Sequence, residues 1–217
     1  MIFMFGIINK LILFKRRLFR PVWRFKYIFF RQELPNNTEG KVYINLGSGN
    51  NTSAEFTNIN AVPFRHTHIV GDITDLSDLS SNSVDMLYAS HVIEHIPRSQ
   101  LVRAFREWHR VLKHGTFLRF GVPDFDRLVD VYNVSGKKIE SIESQLMGQG
   151  ESGYDDHHSI WNFDYAKRLL FEAGFRGEVR LWDVNKVNHH AFKDKSNRVF
   201  EIEGKVIPLS LNIEAFK

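Results

Sequence analysis

From residue 41 onward, short apolar runs alternate with stretches in which apolar residues recur every three or four positions. The recurring stretches predict helices at 98–113 and 163–173, with Gly115 and Gly174 placed to end them. The apolar runs predict strands at 42–46, 56–60, 68–70, 84–89 and 116–122, and the alternating tail at 206–216 predicts another. Strands separated by helices favour an α/β fold with a parallel sheet covered on both faces.

The first predicted strand runs directly into Gly47, Ser48 and Gly49. Glycine adopts positive φ and carries no Cβ, so a nucleotide-type ligand can lie against such a turn, although most Gly-x-Gly turns bind nothing. The dinucleotide fingerprint requires a third glycine at position 52, where this chain has Thr52. Since the chain also contains no Gly-x-x-x-x-Gly-Lys-Ser/Thr loop, pyrophosphate and triphosphate ligands are both disfavoured.

Polar residues follow several of the predicted strands. They are Asn60 after the second strand, Asp72 after the third, 90–95 after the fourth and 123–124 after the fifth. In a parallel sheet these carboxyl ends share one edge, where ligands bind. One crevice is therefore expected to collect all of these groups. The polar stretch 132–159, which contains four glycines, is interpreted as a loop over that crevice.

An ordered series of motifs gives the chain a family resemblance. The series is INLGSG at 44–49, TNIN at 57–60, GDI at 71–73, SVDMLYASHVIEH at 83–95, EWHRVLKHG at 107–115, VPD at 122–124, DHH at 156–158 and EAGF at 172–175. It resembles the class I S-adenosylmethionine-dependent methyltransferases, in particular small predicted members associated with bacterial cell-surface glycan synthesis. The resemblance covers about residues 41–217.

The resemblance implies a Rossmann-like fold, with a seven-stranded, mostly parallel sheet and helices on both faces. It also implies S-adenosyl-L-methionine as cofactor and methyl transfer to an O or N acceptor, with a cell-surface glycan or a lipid-linked precursor as the expected class. The roles that it implies are a cofactor loop at Leu46, Gly47, Ser48 and Gly49, ribose contact at Asn60, adenine contacts at Asp72 and Ile73, and a position near the sulfonium for Ser90 and His91.

One departure from the family pattern and the acid–base candidates bear on activity. Most relatives carry an acid where this chain has Asn60, which removes a charge-assisted hydrogen bond. His91 and His157 are the candidate catalytic bases, whereas His95 is expected to face solvent or pack locally. No metal site is predicted, because Asp155, Asp156, His157 and His158 are adjacent and lack a partner at ligand spacing.

Residues 1–35 are predicted to form a separate basic, aromatic-rich segment before a domain at 36–217. Eight of the 29 Lys and Arg residues lie within 1–32, which contain no acid, so the remainder has 21 basic residues against 25 acidic ones. Apolar residues surround these charges, which favours a helical segment lying on an anionic membrane surface. Packing on the domain or on another subunit is the alternative, and nucleic acid is disfavoured by the aliphatic content.

Three functional classes remain open from the sequence. The leading one is a methyltransferase, expected in the cytoplasm or at the inner face of the membrane; the absence of cysteine suits a reducing compartment. The second is a module that binds the cofactor without turnover, and the third is an enzyme of the same architecture that uses a nicotinamide cofactor. The sequence predicts neither the methyl acceptor nor the oligomeric state.

Overall fold

The computed structural model describes residues 40–49, 53–64, 66–150, 155–186 and 194–217. The predicted N-terminal segment at 1–35, its membrane contact and the pair His189 and His190 lie outside these residues. Within the described ranges, none of the helices has both the length and the apolar character needed to cross a bilayer.

The domain is built on a seven-stranded sheet, as predicted. Its strands are β1 (Tyr43–Leu46), β2 (Phe56–Asn60), β3 (Ile69–Val70), β4 (Val84–Ser90), β5 (Leu112–Pro123), β6 (Val179–Leu181) and β9 (Ser210–Phe216), in the order β3-β2-β1-β4-β5-β9-β6. Strand β9 runs antiparallel to the other strands of this sheet, as its pairings with β5 and β6 show. A separate hairpin pairs β7 (Val199–Ile202) with β8 (Lys205–Pro208). The Rossmann-like fold class is thereby confirmed.

The helices are α1 (Leu101–Val111), α2 (Phe125–Val134), α3 (Glu143–Met147) and α4 (Phe163–Ala173). Helix α4 begins at an Asn162 cap that accepts a hydrogen bond from Tyr165 N, and it ends at Gly174 in the left-handed conformation. The end at Gly174 was predicted from the sequence.

Alternate residues of β4 build two core layers on opposite faces of the sheet. Leu87 and Ala89 join the main core, which includes α1, α4 and the fully buried Trp108. Met86 and Tyr88 join a smaller cluster on the other face. Because successive side chains of a strand point to opposite faces, a central strand covered on both sides is apolar throughout.

Three sequence predictions differ from the structure. Helix α1 ends at Val111 rather than at Gly115, because Leu112 is already extended and Gly115 lies at a φ of 76° within a bulged part of β5. The tail predicted as one strand is divided into β8 and β9 after Pro208. The stretch interpreted as a loop holds the end of α2 and all of α3.

Candidate active site

The turn after β1 has two glycines with different environments. Gly47 and Gly49 have φ values of 63° and 53°, which favour glycine. A Cβ on residue 47 would lie 2.2 Å from Val92 Cγ2, whereas one on residue 49 would meet nothing within 4 Å. Gly47 is therefore required for packing against the segment after β4, and Gly49 borders open space that a ligand can use.

Two buried polar groups beside this turn lack protein partners. The Ser48 hydroxyl oxygen and the Asn60 side-chain nitrogen have no hydrogen-bond partner in the described part of the chain. Ser48 is 4% exposed and Asn60 8%. Buried polar atoms are rarely left unpaired, so each such atom calls for an explanation. A polar ligand lying along the carboxyl ends of β1 and β2 would supply both with partners.

The turn is supported from behind by a polar network. Asn45 donates to the Asn58 side-chain oxygen at 3.1 Å between neighbouring strands, and His66 Nε2 lies 2.8 Å from the Gly49 carbonyl oxygen. Asn58 N donates to His68 Nδ1 at 2.9 Å, which requires that nitrogen to be unprotonated. Burial, and then the neighbouring His66, lower the pKa of His68. This network holds the turn in one conformation.

The remaining residues that the resemblance assigns to the cofactor have varied surroundings. The Leu46 side chain is fully buried in the core, so only its backbone borders the turn. Asp72 is exposed, and its Oδ1 accepts from Thr74 N at 2.8 Å and from Thr74 Oγ1 at 2.9 Å. Ile73 packs mostly into the core and is 8% exposed. Ser90, at the end of β4, is half-buried.

His91 has a strained backbone and two engaged ring nitrogens. Its φ is 50°, a conformation that is uncommon for non-glycine residues and clusters at functional sites. Its Nε2 lies 2.8 Å from Ser210 Oγ, which itself donates to the Lys195 carbonyl at 2.6 Å. The hydroxyl proton is thus used, and His91 Nε2 acts as the donor. The other nitrogen, Nδ1, lies 3.2 Å from Glu94 Oε1.

Glu94 is a buried carboxyl group, only 1% exposed, in the 3-10 turn Ile93–His95. Burial by itself would raise its pKa. The hydrogen bond from His91 and the charges of His91 and His95 outweigh burial, so the pKa of Glu94 lies below its usual value. Its Oε2 has no hydrogen-bond partner among the described residues. Glu94 is therefore a buried carboxylate whose nearest charged neighbour is His91, 3.2 Å from Oε1.

His95 and His157 face each other with their ring centroids 4.9 Å apart. His95 Nδ1 donates to the Asp156 carbonyl at 3.1 Å, and His157 Nδ1 donates to the Gln145 carbonyl at 2.9 Å. A carbonyl oxygen only accepts, so these bonds leave the lone pair of each ring on Nε2. Burial is the main cause that lowers the pKa of His157, which keeps this ring neutral near pH 7. Both rings can bind a proton or an ion.

These groups border a cleft with basic side chains on one wall. His91, His95, Gln145, His157, Lys195 and Arg198 are among its lining residues. Lys195 and Arg198 are exposed and form no ion pair within the described ranges. The sequence analysis singled out His91 and His157 of this set. Glu94 and His95 lie in the motif at 83–95, but neither was assigned a catalytic role, since His95 was expected to face solvent or pack locally; the basic pair carried no sequence signal.

Comparisons with known proteins agree with the fold and with the position of the turn. Residues 44–120 match a family model described as a methyltransferase domain. An S-adenosylmethionine-dependent methyltransferase from Archaeoglobus fulgidus superposes with a TM-score of 0.51 at 15% identity, over 93% of this chain and 94% of that one. A possible histamine N-methyltransferase from Thermotoga maritima gives 0.51 at 17% identity, over 97% and 98%. No curated protein sequence matches significantly.

The unpaired Ser48 and Asn60 groups and the open side of Gly49 fit a polar cofactor that carries no phosphate. The family match covers β1, β2 and β4, whose carboxyl ends hold these groups, and most of β5. Residues 44–120 are thus similar to a methyltransferase domain, and this similarity implies S-adenosyl-L-methionine as cofactor.

Proposed function

We propose that this protein transfers a methyl group from S-adenosyl-L-methionine to an oxygen or nitrogen atom of an acceptor that binds in the histidine-lined cleft. The observation that carries the proposal is the close approach of Gly47 to Val92. It places the cofactor turn beside the segment that holds His91, Glu94 and His95. The methyl donor and the acid–base groups are then neighbours at one edge of the sheet.

When bound, S-adenosylmethionine supplies an electrophilic methyl group on a positively charged sulfur. The protein must align the acceptor with it and accept the proton that the acceptor loses. His95 and His157 are suited to that second task, because each keeps a free Nε2 lone pair. Glu94 lies beside them and stabilises a ring that becomes positively charged.

For His91 we propose a positioning role. Its Nε2 donates to Ser210, and its Nδ1 faces Glu94. Because both nitrogens already face protein groups, this ring is not placed to accept a proton from an acceptor. It holds the Glu94 carboxylate towards His95 and His157. Of the two catalytic bases predicted from the sequence, His157 therefore has the better-placed lone pair.

The acceptor we propose is anionic, and a phosphate-containing, lipid-linked glycan precursor is the class that fits best. Lys195 and Arg198 support an anion because they line the cleft without an ion pair in the described part of the chain. The glycan rests on the family resemblance. Contact of residues 1–32 with an anionic inner membrane surface would bring the domain to such a substrate.

Calorimetry followed by a transfer assay tests the function. Full-length protein is titrated with S-adenosylmethionine, with its demethylated product and with NAD, and is then incubated with methyl-labelled cofactor and a cell-envelope extract. We expect the first two compounds to bind and label to enter an anionic glycan or lipid fraction. Absence of binding by both compounds contradicts the proposal. Binding without transfer to any fraction supports the alternative, a binding module without turnover.

A further inference from the structure

We infer that Glu94, His95 and His157 form a binding site for one divalent transition-metal ion. The inference rests on the proposed function for the role of the ion, but not for its binding. One ligand atom from each residue lies within 4.8 Å of the other two. The three come from two segments that are more than 60 residues apart in sequence, so they share no short motif spacing.

The Glu94 carboxylate supplies the strongest evidence for a bound cation. It is 1% exposed, and its Oε2 has no hydrogen-bond partner among the described residues. Oε1 likewise has no hydrogen-bond partner among these residues, although it lies 3.2 Å from His91 Nδ1. A buried carboxylate oxygen without a partner is costly, and buried charges are normally paired or bound to metal. A metal ion is a partner for Oε2 that no described side chain supplies.

The two histidines are already oriented as metal ligands. In metal sites the ring nitrogen that does not bind the ion usually donates to a backbone carbonyl or a carboxylate, which fixes the tautomer. His95 Nδ1 donates to the Asp156 carbonyl and His157 Nδ1 to the Gln145 carbonyl. Both Nε2 atoms are thus oriented to bind an ion. His91 supports Glu94 from outside the ligand set in a similar way, because it lies beside the carboxylate.

The ligand set indicates which ions suit the site. Two imidazoles and one carboxylate bind zinc in catalytic sites and iron(II) in oxygenases, whereas magnesium prefers oxygen ligands alone. Ligands about 2.1 Å from a tetrahedral ion lie roughly 3.4 Å apart, so the three atoms have to approach one another by about 1 Å on binding. Zinc, cobalt(II) and manganese(II) are the ions to try.

Three protein ligands leave coordination positions open towards the cleft, where an acceptor oxygen can bind. A hydroxyl bound to the ion loses its proton to solvent at a lower pH than a free hydroxyl does. The ion would then replace a histidine as the group that activates the acceptor. Lys195, which lines the same cleft, opposes a bare cation, but an anionic acceptor that contacts both would offset this repulsion.

Metal titration of the full-length protein after removal of bound ions tests the site. Zinc binding is measured by calorimetry and cobalt(II) binding by visible absorption. We expect one ion per chain and a cobalt spectrum typical of nitrogen and oxygen ligands. Glu94→Gln and His157→Ala should each weaken binding by at least about 10-fold, since loss even of outer-sphere partners costs that much. His158→Ala is the matched control, because its exposed side chain is not part of the cluster.

Two results would overturn the inference: no saturable binding by the unmodified protein, or equal binding by the unmodified protein, Glu94→Gln and His157→Ala. The melting temperature of each variant shows whether it is folded. If Glu94→Gln does not fold, His157→Gln answers the question, because position 157 is half-buried at the cleft. S-adenosylmethionine binding is measured on the same samples without metal, so failure of the proposed function and failure of the metal site give different results.

Discussion

Gly47 lies so close to Val92 that a Cβ at position 47 would be 2.2 Å from Val92 Cγ2. This contact joins the turn after β1 to the segment after β4, and therefore the cofactor side of the site to the acid–base side. It also explains the glycine at position 47 by packing as well as by backbone conformation. At Gly49, by contrast, only the positive φ favours glycine, since no described part of the protein crowds a Cβ there.

Gly47→Ala should lower both stability and cofactor affinity. Backbone strain at this φ costs about 1–2 kcal/mol, and the displacement of Val92 adds to it. Thermal unfolding and calorimetry measure the two effects. In the double variant with Val92→Ala, stability should partly recover, because the closest contact, with Cγ2, is removed, while the backbone strain and a 2.9 Å approach to the Cβ of residue 92 remain. If Val92→Ala gives no recovery, the contact is not the cause.

Asn60→Asp should strengthen binding of S-adenosylmethionine. The Asn60 side-chain nitrogen has no partner in the described part of the chain, and a carboxylate would accept charge-assisted hydrogen bonds from ribose hydroxyls. A gain of about 1 kcal/mol corresponds to roughly 5-fold tighter binding. Calorimetry at pH 7.5 measures the change, and Asn133→Asp, the same substitution at an exposed position of α2, serves as the control. Unchanged or weaker binding by Asn60→Asp would show that this side chain does not contact the ribose.

Glu214→Ala should destabilise the sheet edge strongly. Glu214 accepts from Arg119 at 2.6 Å and pairs with Arg180 at 2.9 Å, and both Glu214 and Arg119 are buried. Removing the carboxylate leaves a buried guanidinium without its carboxylate, at a cost of about 3–5 kcal/mol. Glu178→Ala is the control, because that exposed partner of Arg180 contributes about 1 kcal/mol or less. Urea unfolding measures both. Equal losses would mean that burial of the pair does not matter.

The unfolding free energy should fall as the pH drops below about 6.5, the ordinary pKa of histidine. Burial lowers the pKa of His68 and of His109 in the folded state. Between the lowered value and 6.5 the unfolded chain binds more protons, so stability rises with pH there and is full above 6.5. His68 also faces His66, which adds to the shift.

The measurement is urea unfolding at several pH values between 5 and 7.5. His68→Asn should flatten the pH dependence, because its side-chain oxygen accepts from Asn58 N without titrating. An unaltered slope in this variant would assign the effect to other histidines.

The main strands and helices of the domain were predictable from the sequence, because the residue patterns that indicate them are local. Strands β1, β2 and β4 are short apolar runs, and α4 has a cap residue at Asn162 and a stop at Gly174. Two other features differ from the prediction: the tail is divided into two strands near Pro208, and β5 continues through Gly115. Both depend on the strands with which these segments pair. Periodicity within one segment carries no information about such partners.

The acid–base cluster was only half predictable for the same reason. His91 and His157 were the candidate bases because the resemblance places their segments by the crevice, whereas Glu94 and His95, in the same motif as His91, were assigned no catalytic role. Glu94 and His95 adopt their roles only because the chain near His157 returns to the turn Ile93–His95, where His158 N donates to the Glu94 carbonyl at 2.7 Å. No sequence spacing encodes that return. It depends on the bridge between Gly148 and Asp156.

Gly148→Ala tests whether this bridge positions His157. Gly148 bridges Asp156, and Met147 accepts from His157 N at 3.1 Å. Residue 148 has a φ of 85°, and a Cβ there would lie 1.7 Å from the Asp155 carbonyl oxygen, so the backbone has to separate. We expect His157 to be displaced and cobalt(II) affinity to fall by roughly 10-fold, as for loss of an outer-sphere partner. Gly150→Ala is the control, since it has positive φ but open space. If both variants bind cobalt like the unmodified protein, the bridge at Gly148 does not hold His157 in place.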